Sequence, residues 1–184
     1  MPTCRSDSVE QILSTFQVVA DTREQNTRAK TRRFDSFGVP VQRATLKYGD
    51  YCGNVILPNG KQLYDVSKTL SPSFVIERKM SLDELESCFT SGRSRFQREF
   101  ERARDAGATM ILLVENGSWE AILSHRYRSR MNPAAFIASL VTWSIRYKFG
   151  IIFCRQEVSG KMIREFLYRD MKERLERGVI GDME

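Results

Sequence analysis

The sequence predicts an α/β sandwich, a mixed β-sheet with α-helices on its faces. Two features carry this expectation. Apolar runs at 16–20 (FQVVA), 109–115 (TMILLVE) and 151–154 (IIFC) alternate with stretches of helical periodicity, the pattern of strands joined by helices. Between the first two runs, segments 48–57, 61–66 and 74–79 are separated by the turn formers Pro58-Asn59-Gly60 and Ser71-Pro72. They read as a meander of three strands, the antiparallel part of the sheet. A chain of 184 residues is the size of one domain, with a core over about 15–177.

The elements follow in order. The first ten residues are polar and expected to fray, with flexibility to about residue 14. FQVVA is a buried strand ending at Asp21. Residues 26–33 hold Arg28, Lys30, Arg32 and Arg33 and read as a basic loop entering a short helix, with Phe34, Phe37 and Val39 to bury. After the meander, Ser81 followed by Glu84 is a capping box that starts a helix, and Gly92 interrupts it. Phe96, Phe100 and Ala103 mark a second helix over 93–106. TMILLVE is apolar throughout, as strands covered on both faces are. A helical turn at 118–123 precedes a helix that starts near Pro133. Its stripe is Ile137, Leu140, Val141, Ser144 and Tyr147, and Gly150 ends it. The last helix starts at Ser159 and carries Met162, Ile163, Phe166, Leu167 and Leu175.

Composition narrows the function. The net charge of +6 favours a polyanionic partner. No apolar run approaches the roughly 20 residues of a membrane span, so no membrane role is expected. The start, MPTCRSDSVEQ, lacks the apolar stretch of a secretory signal. Cys4, Cys52, Cys88 and Cys154 are too widely spaced for a zinc knuckle, which suggests a reducing, intracellular compartment. The single histidine, His125, reads as a surface residue, and no GxxxxGK loop supports a nucleotide cofactor. The basic runs 28–33 and 125–130 either track phosphates or are solvated loops.

One constellation points to chemistry. Asp50 lies in Gly49-Asp50-Tyr51, and Glu77-Arg78-Lys79 closes the apolar run Phe74-Val75-Ile76. Strand alternation puts Glu77 and Lys79 on one face and Arg78 on the other. An Asp on a neighbouring strand then completes, with a backbone carbonyl, a hard-oxygen site for Mg²⁺ or Mn²⁺. The ammonium beside it orients or deprotonates a water. The competing reading is a solvated hairpin. Against it, a carboxylate at the end of a buried strand is costly to keep idle. Asp21 and Glu24 cluster at the end of the first strand.

At these residues the chain resembles the nuclease domain of the XPF family of structure-specific DNA endonucleases. The similarity lies in Asp21-Thr22-Arg23-Glu24, Gly49-Asp50-Tyr51, Glu77-Arg78-Lys79 with Asp83, and Gly92-Arg93 with Gln97, in that order over about 15–155. The resemblance implies the restriction-endonuclease-like fold, a central mixed sheet flanked by helices. It implies dependence on Mg²⁺ or Mn²⁺ and cleavage of branched, flapped or forked DNA in repair or recombination. Asp50, Glu77, Lys79, Asp21 and Arg78 become the catalytic candidates, with Asp50, Glu77 and Asp21 as metal ligands. Arg23, Glu24, Asp83, Arg93 and Gln97 become supporting or DNA-contacting residues, each weighed against a plain structural role.

The chain departs from the family pattern in a long interval between Asp50 and Glu77, and in having neither a helicase region nor a helix-hairpin-helix module. A stand-alone nuclease domain suits a prokaryote, an archaeon or a phage, and so the cytoplasm. The alternatives are a DNA-binding scaffold without activity, or an interaction subunit of a nuclease complex. Phe136, Trp143, Tyr147, Met162, Phe166 and Met171 look like more apolar surface than one covering layer needs, and predict a homodimer or heterodimer through the C-terminal helices.

Overall fold

A computed structural model describes residues 3–24 and 27–180, and of 3–7 only the backbone. Thirteen elements run in the order α1 (Thr3–Leu13), β1 (Gln17–Asp21), α2 (Arg28–Phe37), β2 (Val41–Ala44), β3 (Tyr51–Asn54), β4 (Phe74–Lys79), α3 (Leu82–Ser87), α4 (Arg93–Asp105), β5 (Thr109–Glu115), α5 (Trp119–Leu123), α6 (Pro133–Tyr147), β6 (Gly150–Cys154) and α7 (Gln156–Glu176). The six strands form one sheet in the order β2-β1-β3-β4-β5-β6. β3 runs antiparallel to β1 and β4, and the other pairs are parallel, so the sheet is mixed as expected.

Strand alternation sorts the sheet's side chains into two cores. Val19, Cys52, Val75, Leu112 and Val114 face one cluster with α3, α4 and α6, built around Phe96, Phe100, Phe136 and Trp143. Val18, Ala20, Tyr51, Ile76 and Leu113 face the other, against α1, α2 and α7. The helix starts read from sequence hold: Ser81 accepts from the Glu84 N–H, Glu84 reaches back to the Met80 N–H, and Pro133 occupies the first turn of α6 behind Asn132.

Several expectations are corrected. The polar N-terminal segment forms α1, which buries Val9 and Leu13. Asn26, where the basic loop was to begin, lies outside the described residues, and α2 starts at Arg28 behind a Thr27 cap. β2 has no counterpart in the sequence reading, because the edge strand Val41-Gln42-Arg43-Ala44 is mostly half-buried and carries two polar residues among its four. The meander is not three sheet strands. Its middle limb makes only the bridge between Ile56 and Gln62, and the buried Asn54 side chain holds it through Val55 and both backbone groups of Tyr64. α6 buries Phe136, Leu140, Trp143 and Tyr147, while Val141 is exposed, so the true stripe is rotated from the expected one. α6 ends at Lys148 in a left-handed conformation, not at Gly150, which opens β6. α7 begins at Gln156, three residues before Ser159.

Candidate active site

The site is built where β3 enters the sheet. Gly49 has φ +72°, and a Cβ there would lie 2.8 Å from that of Val75, so only glycine fits this turn against β4. The turn delivers Asp50 into a fixed frame. Its N–H donates to the Ile76 carbonyl, its carbonyl accepts from the Asp21 N–H, and its Oδ2 accepts from the Arg78 N–H, each at 2.8 Å. The register that opposes Tyr51 to Ile76 carries Asp50 beside Glu77.

On β4 the expected alternation holds. Glu77 and Lys79 share the face of Val75, and both are buried. Lys79 Nζ donates to Glu77 Oε1 at 2.6 Å and lies 4.9 Å from the centre of the Phe96 ring. Burial works against the Lys79 charge, but Glu77, Cys88 and Asp50 outweigh it and hold its pKa above the ordinary lysine value. Glu77 Oε2 is buried without a hydrogen-bond partner. Asp50 keeps part of its surface open to the cleft, yet burial and then the charge of Glu77 push its carboxyl well above the usual range.

This group lines a cleft of about 1110 Å³ that also takes in Arg23, Arg95, Phe96, Glu99 and Arg102. A second groove, about 730 Å³ between α1, α7 and residues 38–40, holds none of these residues. Two carboxylates, one unsatisfied oxygen and mutual repulsion describe a place short of positive charge, and the donors are hard oxygens of the kind Mg²⁺ and Mn²⁺ take. The residues present therefore fit such an ion. Among the described residues no three His, Cys, Asp or Glu side chains are grouped closely enough to hold one alone.

The other candidates separate. Asp21 accepts from the Arg23 N–H, Nε and Nη2 and from the Leu46 N–H at 2.7–3.0 Å, so both its oxygens are engaged within the chain and it stays ionised. Burial alone would raise its pKa, but the Arg23 and Leu46 bonds win and lower it. The geometry gives Asp21 the task of holding Arg23 at the cleft edge rather than that of a metal ligand. Arg78 points to the opposite face, as alternation required. There Glu24 accepts from Arg33 at 2.8 Å, from the Tyr51 hydroxyl at 2.7 Å and from Arg78 at 3.5 Å, while Glu115 accepts from Arg33 at 3.3 Å and Arg78 at 3.0 Å. This partly buried network braces the sheet beside the acids and lines the same cleft. Asp83 accepts from the Arg128 N–H at 2.6 Å and tethers a loop. Arg93 lies 5.4 Å from the Trp143 ring centre and Gln97 donates to Glu101, so neither joins the cleft.

Sequence reasoning missed Arg33, Tyr51 and Glu115 as a network, and Arg95, Glu99 and Arg102 as cleft residues. The signals were there. Glu115 ends an apolar strand just as Glu77 follows one, and 95, 99 and 102 share a helix face with the core residue Phe96. Glu99 Oε1 accepts from the Gly49 N–H at 3.1 Å, and burial followed by the charge of Glu77 pushes its pKa up to about 7.

These raised values set a pH dependence. The folded protein retains protons on Asp50 and Glu99 that the unfolded chain has lost. The contribution of these two groups to metal-free stability is therefore greatest below the ordinary carboxylate range and is lost as pH rises, for Glu99 up to about 7, while the lowered Asp21 contributes with the opposite sign. Asp50→Asn removes one of the repelling charges and is expected to raise the melting temperature of the metal-free protein at pH 8 by several degrees. A melt of both proteins in EDTA checks this, and a variant no more stable than wild type contradicts it.

Comparison with known proteins identifies the family and the fold. The family model described as the ERCC4 domain matches residues 20–166. A search of curated proteins finds no match. Among solved structures, XPF from Aeropyrum pernix superposes with a TM-score of 0.57 at 21% identity, covering 89% of this chain and 71% of that one. XPF from Aeropyrum pernix in complex with DNA gives 0.57 at 23% identity, covering 85% and 65%. The fold is thus the restriction-endonuclease-like fold of XPF, and with its domain model matched over most of its length the chain belongs to the ERCC4-domain family.

Proposed function

We propose that this protein is a divalent-metal-dependent DNA endonuclease that cuts branched, flapped or forked DNA. The observation that carries the reading is the half-buried Asp50 beside the buried Glu77 and Lys79, with Glu77 Oε2 unsatisfied in the cleft they line. Family membership and the likeness to a DNA-bound XPF support it. Asp50 and Glu77 would hold Mg²⁺ or Mn²⁺, with water, a backbone carbonyl and phosphate oxygens at the remaining positions. The ion would supply Lewis-acid polarisation of the phosphate and a lowered pKa for bound water. Lys79 donates to Glu77 beside Asp50, so its ammonium would orient the attacking water and offset phosphate charge. Arg23, Arg95 and Arg102 line the cleft and would meet the DNA backbone, which fixes register and supplies affinity.

The reading includes pairing with a second copy or a partner subunit. The residues first expected at such an interface are mostly core, since Phe136, Trp143, Tyr147 and Met171 are buried within the chain and Met162 and Phe166 partly so. The large apolar side chains that α6 leaves exposed are Val141 and Ile145, the latter 73% exposed. The test is Mn²⁺-dependent cleavage of fork, flap, Holliday-junction and plain duplex DNA, with light scattering on the same samples. Selective cutting of branched forms by a dimer supports the reading. Equal cutting of plain duplex overturns the substrate class, and a strict monomer on forked DNA overturns the pairing.

A further inference from the structure

Glu99 is an acid that the metal-site pattern does not include, and an inference about it rests on the nuclease reading above. It reaches the cleft from α4, facing the acids carried by β4 and the Gly49–Asp50 turn. One of its oxygens accepts from the Gly49 N–H, which fixes the carboxylate next to Asp50 in the chain. Of the nearby arginines, Arg23 bonds Asp21 and the Leu46 carbonyl and Arg102 bonds the Lys47 carbonyl, while Arg95 lines the same cleft. Lys79 donates to Glu77. Three carboxylates thus converge on one cleft where Glu77 Oε2 is also buried and unsatisfied, Glu77 itself being only 4% exposed. Such a concentration of negative charge is costly unless a cation answers it.

Among the described residues no three acids stand close enough to ligate an ion together, which leaves Glu99 an outer role. Mg²⁺ and similar ions keep several waters when bound, and those waters need acceptors. We propose that Glu99 accepts hydrogen bonds from waters of the divalent ion held by Asp50 and Glu77, and so raises the affinity of the site for that ion. It is a positioning residue, acting through metal-bound water rather than on the reacting phosphate.

The test is calorimetric titration of the DNA-free protein with Mn²⁺. Glu99→Gln keeps an oxygen for the Gly49 N–H and removes the charge. It is expected to weaken Mn²⁺ binding by about tenfold, the usual scale for an outer-shell partner, while Glu77→Gln abolishes it. Unchanged affinity in Glu99→Gln alongside lost binding in Glu77→Gln overturns the proposal and leaves the nuclease reading standing. Unchanged affinity in Glu77→Gln overturns the metal site and this proposal with it. If Glu99→Gln fails to fold in a melting experiment, Glu99→Ala decides by the same titration: an affinity lowered about tenfold upholds the proposal and an unchanged one overturns it.

Discussion

Alanine at Asp50 or at Glu77 is expected to abolish DNA cleavage, a loss of more than about 10³-fold, while DNA affinity changes little. The two effects separate because the acids answer the metal, whereas affinity comes from arginines along the cleft. Alanine at Asp50 removes the ligand and the acceptor of the Arg78 N–H but leaves the two backbone bonds to Ile76 and Asp21 that hold the turn. Lys79→Ala is expected to lose about 10²-fold or more, since its ammonium meets water and phosphate rather than the ion. Single-turnover cleavage of labelled forked DNA, paired with a binding titration, measures both quantities. Alanine variants of the two acids that cut within a few-fold of wild type would refute the site.

Glu115→Ala carries the largest expected cost in stability, about 3–5 kcal/mol. Glu115 is fully buried at the end of β5, and its two oxygens answer Arg33 and Arg78 separately. Its loss leaves Arg33, only 4% exposed, and Arg78 with Glu24 as their remaining carboxylate. The midpoint of urea unfolding reads the effect. A shift equivalent to less than about 1 kcal/mol would show that water or Glu24 replaces it. Because the Arg78 N–H also donates to Asp50, this variant couples the brace to the site.

The legible parts of the fold were those where burial acts on consecutive or alternating residues. FQVVA and TMILLVE are covered on both faces, so their apolar runs announce strands. β2 is an edge strand whose Gln42 and Arg43 stay half-buried, which leaves no such run. The same physics exposed Glu77 and Lys79, charges set at the end of a buried strand. What sequence could not show was how each helix is rotated about its axis. Packing of Phe96 and Phe100 into the core turns α4 so that Arg95, Glu99 and Arg102 meet the cleft and Arg93 and Gln97 do not. The burial of Phe136 and Trp143 likewise turned a supposed interface into core. Asp21 was visible as an acid after a strand, but only the Arg23 and Leu46 donors reveal that its oxygens are already engaged.

The claim that Asp50 and Glu77 form a divalent-metal site is tested most directly by anomalous scattering from a crystal grown with Mn²⁺. The account predicts one strong anomalous peak in the cleft, ligated by carboxylate oxygens of both Asp50 and Glu77. A peak elsewhere, or an ion held without Glu77, would contradict it.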